Sequence, residues 1–136
     1  MKGEDIEQCK LFDWIRSRKD LKRFCWHTAN ERRCSLQEGR LLKRKGVRAG
    51  VFDTTIAIPR GPYHGMYHEL KFGNNKPTDK QLEFAEDMTS QGYYCSWSVG
   101  FEASKKVIEW YLSLEKPSST IPVPTINLSD SEHWAL

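Results

Sequence analysis

Residues 66–99 constrain the fold more than any other stretch of the chain. MYHELKF (66–72) alternates in period two, with Met66, His68, Leu70 and Phe72 expected on the core face and Tyr67, Glu69 and Lys71 on the other, the signature of a strand. A turn cluster, GNNKP, leads into a helical stretch over 78–91. Thr78 and Gln81 match the S/T-x-x-E/Q capping box, and Gly92 supplies the stop. YYCSWSV (93–99) is a second strand. Strand, helix and strand in that order predict a right-handed crossover between parallel neighbours, and so an α/β domain.

The flanking segments extend this unit. VFDTTIAI (51–58) is a β-branched run joined to MYHELKF by the short Gly- and Pro-punctuated loop PRGPYHG, which predicts an antiparallel hairpin. Residues 22–28 are expected to add a short strand. Helices are expected over 4–18, over 31–45 with Asn30 as cap and Gly46 as stop, and over 101–114. The fold class that follows is a mixed central sheet flanked by helices. Trp97, Trp110 and Tyr111 are expected in the core. After Leu114 the composition turns to Pro and Ser without a period, so residues 1–114 are read as one domain and 115–136 as an extended tail, whose Trp134 and Leu136 could dock on the body or on a partner subunit.

Charge separates the two halves. Residues 1–60 hold 15 Lys and Arg against 8 Asp and Glu, a balance of +7, whereas residues 61–136 hold 6 against 10, a balance of −4. All nine arginines fall at or before Arg60. Arginine is the side chain best shaped for two-point contact with phosphate, so a basic half suggests a polyanionic partner. Arg32, Arg33, Arg40, Lys43, Arg44 and Lys45 crowd the second helix and are the candidates for backbone contact with nucleic acid. No apolar run is long enough to cross a membrane and the first residues lack the apolar stretch of a signal peptide, so a cytoplasmic protein is expected. The four cysteines, Cys9, Cys25, Cys34 and Cys95, form no CxxC pair; reduced thiols are the stronger expectation and a metal cluster of Cys25, His27 and Cys34 the weaker.

Asp53 stands among apolar residues at the start of its strand. A carboxylate there requires a partner or a metal. In the plain hairpin register Asp53 and Glu69 converge on one divalent cation, Mg²⁺ or Mn²⁺ by the hardness of the donors. Lys71 stands about 7 Å along the strand from Glu69. Such a trio can polarise a phosphodiester, activate water and steady the developing charge. E-x-K on its own is more often a surface ion pair of little worth; the surrounding string alters that balance.

That string, from GVRAGVFDTT through EWYL, closely resembles the VRR-NUC family, the virus-type replication-repair nuclease domain. The matching positions are Gly46, Gly50, Asp53, Gly65, Glu69, Lys71, Gln81, Gly92 and Tyr93. The resemblance covers roughly residues 4–114 and is looser in the N-terminal third. It implies the PD-(D/E)XK, restriction-endonuclease-like fold. It also implies Asp53 and Glu69 as metal ligands, the Leu70 carbonyl as a main-chain ligand, Lys71 as catalytic lysine and Gln81 beside the site. Glu7 is implied as the acidic ligand on the first helix, with Glu4 and Glu31 as nearby alternatives. His27 and Asn30, in WHTANE, are implied as substrate contacts, with a structural hydrogen bond and a helix cap as their plainer readings. Phe52 departs from the family, where Pro is commonest before the aspartate; Pro is no ligand, so activity is not put in doubt. Stand-alone relatives of phage and prophage type imply a homodimeric, Mg²⁺- or Mn²⁺-dependent endonuclease for branched DNA such as Holliday (four-way) junctions, in replication or DNA repair. The competing expectations are a catalytically silent DNA-binding module on the same fold, a sequence-specific restriction-type enzyme, and an RNA-directed nuclease.

Overall fold

A computed structural model describes residues 2–29 and 34–118. In chain order the elements are α1 (Gly3–Ser17), β1 (Cys25–His27), α2 (Leu36–Arg44), β2 (Thr54–Ile56), β3 (Met66–Lys71), α3 (Asp79–Ser90), β4 (Tyr94–Val99) and α4 (Phe101–Ser113). The four strands form one sheet in the order β1-β2-β3-β4. β1 and β2 pair antiparallel, β2 and β3 pair antiparallel with Thr54 opposite His68, and β3 and β4 run parallel with Glu69 opposite Trp97. The hairpin and the crossover are therefore those the sequence predicts, and the domain is a mixed α/β sheet with helices on both faces.

The main core lies between one sheet face and the α1–α4 pair. Leu11 and Ile15 of α1, Ile108 and Tyr111 of α4, and Ile56, Met66 and Leu70 of the sheet are essentially solvent-free. On the other face Phe84 of α3 packs against Phe52 and Tyr67, with ring centroids 5.4 and 5.0 Å apart. Because both faces of β3 are covered, Glu69 and Lys71 are buried, 3% and 7% exposed. A strand covered on both sides does not present a solvent face.

His68 stands on the core face. Its Nδ1 lies 2.7 Å from the Ser96 hydroxyl and its Nε2 2.8 Å from that of Ser104. Burial pushes its pKa down to about 3, so the ring is neutral and acts as a polar bridge joining β3, β4 and α4.

The structure corrects several expectations. Phe72 is 44% exposed rather than in the core, because β3 ends at Lys71 and the chain turns at Gly73, φ +64°, with the Phe72 ring resting on Gly3. Trp97 and Trp110 are 42% and 47% exposed; only Tyr111 is buried. β4 is an edge strand, and Trp110 lies over Tyr94, with centroids 5.2 Å apart, rather than inside. The second helix begins at Leu36 with Ser35 as its cap, the hydroxyl accepting from the Glu38 N–H. Asn30, Arg32 and Arg33 lie outside the described residues, as do Trp134 and Leu136. The four cysteines are unpaired, and burial raises the Cys25 thiol to about 12.

Candidate active site

Asp53 sits immediately before β2, where its carbonyl accepts from the Thr28 N–H at 2.7 Å and so extends the β1–β2 ladder. Its N–H donates to Glu69 Oε1 at 3.0 Å. Its carboxylate accepts from the Thr54 hydroxyl at 3.1 Å and from the Leu70 N–H at 3.3 Å. Glu69 Oε2 lies 3.3 Å from Lys71 Nζ, with both side chains under a tenth exposed, so the E-x-K pair is a buried ion pair and not a surface one. Burial above all, then the charge of Glu69, raises the Asp53 carboxyl to about 8 against the opposing pull of its hydrogen bonds and of Lys71. Two carboxylates held this close with one ammonium lack a positive charge, and a divalent cation would supply it.

Leu70 adds to the same edge. The Lys71 carbonyl accepts from Gly100 N–H at 2.9 Å, on the β4 side. Carbonyls of successive strand residues point to opposite edges, so the Leu70 carbonyl points to the β2 side, where Asp53 is. Among the described residues no three His, Cys, Asp or Glu side chains gather at metal-binding range. The donor set is two carboxylates and a main-chain oxygen, which suits a hard cation that keeps several waters.

Asp53 and Glu69 open onto a cleft of about 440 Å³, walled by Glu4, Asp5 and Gln8 of α1, by His27 to Ala29, by Gly50 and Val51, and by Thr78 and Gln81 at the start of α3. Gln81 is the cap partner the sequence predicts, and it lies beside the site. Its Oε1 accepts from Thr78 N–H at 2.9 Å while its own N–H donates to Thr78 Oγ1 at 3.2 Å, and the side chain lines the cleft. Gly50 lets α3 approach: it has φ +83°, and a Cβ there would run into the Lys80 carbonyl oxygen. Gly50→Ala is therefore expected to destabilise the fold by more than about 1 kcal/mol from the backbone alone, measured by the urea midpoint. Unchanged midpoint and activity would refute this packing.

Glu7 is placed elsewhere. Its Oε1 accepts from Phe101 N–H at 3.2 Å at the start of α4, its Oε2 pairs with Lys10 at 3.0 Å, and these contacts, Lys10 first, lower its pKa. The acids that α1 turns to the cleft are Glu4 and Asp5. The row Glu4, Gln8, Phe12, spaced i, i+4, i+8, was the signal available in the sequence. His27 lines the cleft mouth and is exposed. Arg40, Lys43, Arg44 and Lys45 are solvent-facing on α2, which buries no residue, and they lie outside the cleft.

Among solved structures, one described as a VRR_NUC domain protein superimposes with a TM-score of 0.75 at 32% identity, over 85% of this chain and 94% of that one. The chain belongs to the VRR-NUC family. No family model and no curated protein matches it. VRR-NUC membership makes this a nuclease domain, and the mixed sheet flanked by helices is the α/β fold of that family. No described helix is long and apolar enough to cross a membrane.

Proposed function

We propose that this VRR-NUC domain is a divalent-cation-dependent DNA endonuclease that cuts branched DNA as a homodimer. The observation that carries the reading is the buried trio: Asp53 and Glu69 held against one another, with Lys71 on the outer oxygen of Glu69. Asp53, Glu69 and the Leu70 carbonyl would hold Mg²⁺ or Mn²⁺, with Glu4 better placed than Glu7 to reach it from α1. At that position a divalent ion would supply Lewis-acid polarisation of the scissile phosphate and of a nearby water. Lys71 places its ammonium beside the carboxylates, where it orients the attacking water and stabilises charge on the phosphate oxygens. Gln81, fixed by its cap, forms the wall on the α3 side.

Four-way junctions are two-fold symmetric, and a single small domain makes paired cuts most simply as a two-fold dimer. The test is cleavage of labelled four-way junction, flap, single-stranded and linear duplex DNA, and matched RNA, with Mg²⁺ or Mn²⁺. Paired symmetric nicks in the junction, from a protein that sediments as a dimer, are expected. A monomer cutting only flaps or single strands would remove the junction reading. DNA binding with no cleavage of any substrate would make it a silent binding module, and a fixed cut sequence on linear duplex would make it a restriction-type enzyme.

α2 is the phosphate-contacting surface in this proposal. Replacing Arg40, Lys43, Arg44 and Lys45 together by Ala is expected to weaken binding to every DNA alike. It should also lower the slope of log K against log salt by about 0.9 for each phosphate no longer neutralised. An unchanged slope would place the DNA elsewhere.

A further inference from the structure

The two edges of the sheet are unlike. β1, at one edge, is three residues long. β4, at the other, runs for six and pairs with β3 residue for residue, without a bulge. The Tyr94 N–H and the Gly100 N–H just past the strand donate to the Gly65 and Lys71 carbonyls, both at 2.9 Å. Alternate residues of a parallel strand bond to the same neighbour. Tyr94, Ser96 and Ser98 therefore face β3, and Cys95, Trp97 and Val99 turn their N–H and C=O groups to the open edge. Among the described residues no strand lies beyond them. Edges of this length are normally blunted by charge, by Pro, by a bulge or by shortness. β1 is short, but β4 has no charged residue and no Pro. Its flanks are also apolar. Trp97 and Val99, on the α3 face, are 42% and 46% exposed, and Trp110, over Tyr94 on the other face, is 47% exposed.

We infer that the open edge of β4 seats a second copy of this chain, paired antiparallel about a two-fold axis through Trp97. The inference names the surface of the homodimer proposed above and rests on that reading. The register follows from the edge. Only residues whose main chains point outward can exchange hydrogen bonds across an antiparallel pair. An axis at Trp97 sets Trp97 opposite Trp97 and Cys95 opposite Val99 of the other copy, so that all three outward residues are matched on both strands. A shift in either direction leaves one of them unmatched. The strand is thus complementary to itself, as a two-fold interface requires. It offers no charge by which an unrelated peptide would be chosen. On the α3 face the two indoles meet, and aromatic cross-strand pairs of this kind stabilise sheets. On the other face Trp110 of each copy flanks the seam. The joined sheet places β1 at both outer ends, so the two clefts, walled by α1, by the end of β1 and by the start of α3, stay open to DNA.

Two substitutions in the full chain test this without DNA, and so apart from the nuclease chemistry. Wild type is expected to sediment as a dimer. Trp97→Lys sets two ammonium groups face to face across the axis and should raise the dimer Kd by about a hundredfold or more, with the far-UV spectrum unchanged. Val99→Cys adds a thiol opposite Cys95 of the other copy, at a Cα spacing of about 5.5 Å, within disulfide reach. Mild oxidation should then give a covalent dimer, bridged between positions 95 and 99 by peptide mapping and lost when Cys95→Ser is added. Wild type should form no bridge through Cys95. A Trp97→Lys chain that still dimerises, or a Val99→Cys chain with no such bridge, overturns this surface. The homodimer reading stands if wild type is a dimer all the same, and falls with the surface if wild type is a monomer. In a monomer, slow hydrogen exchange at the Cys95, Trp97 and Val99 amides would give the edge to residues 119–136 of the same chain, and fast exchange would leave it unpaired; either overturns the inference.

Discussion

Lys71→Ala is expected to lower single-turnover cleavage by about 10²–10³-fold while DNA affinity stays within a few fold. The ammonium sits 3.3 Å from Glu69 Oε2 in a site where both side chains are nearly dry. A charge there is pre-oriented and little screened, the condition under which a charge acts most strongly on a transition state. It lies deep at the strand and outside the exposed basic surface of α2, so it contributes little to holding the duplex. Lys71→Arg should rescue poorly, since a planar fork does not occupy the space of a compact ammonium. Rate and affinity measured on the same labelled junction separate the two roles. Cleavage within threefold of wild type in Lys71→Ala would remove this lysine from the chemistry.

The parts legible in the sequence were those set by local pattern. Period-two alternation placed Glu69 and Lys71 on one face of β3, and the Thr78–Gln81 box marked the start of α3 to the residue. What escaped was tertiary. Nothing in the alternation of β3 says that α3 covers its second face, so the burial of Glu69 and Lys71 was invisible. Phe72 continued the alternation beyond the strand's true end and was drawn to the wrong side of it. Trp97 and Trp110 looked like core by residue type, but edge position and helix face decide exposure. The rotation of α1 was equally hidden. Three acids within four positions, Glu4, Asp5 and Glu7, differ only in the direction each faces, and that is fixed by packing on α4 through Leu11 and Ile15. The alternation also turns His68 to the core, yet its bridge to Ser96 and Ser104 depends on β4 and α4 meeting above it.

Asp53→Asn should abolish cation-dependent cleavage and at the same time stabilise the metal-free protein. The Asp53 carboxyl is raised in the folded state to about 8, first by burial and then by Glu69. A group whose acid form is favoured by folding holds a proton that the unfolded chain has already released. Between the ordinary carboxylate range and about pH 8, the folded state therefore binds more protons. Stability contributed at this site must then fall as pH rises through that window and level off above it. Asparagine keeps the shape and an acceptor for the Leu70 N–H but carries no charge. The variant should lose this pH slope and gain on the order of 1–4 kcal/mol above pH 8 without metal, by analogy with the gain found when buried ion pairs are replaced by uncharged residues of similar volume. Added Mg²⁺ or Mn²⁺ reverses the order. Wild type gains about 2.7 kcal/mol at a hundredfold excess over its dissociation constant, and the variant gains little, because half the carboxylate pair is missing. Thermal unfolding at pH 5, 7 and 9, with and without the cation, reads all of this. A variant that is less stable than wild type at pH 9 without metal, and that responds to the cation as wild type does, would mean that Asp53 and Glu69 do not form a strained cation-binding pair.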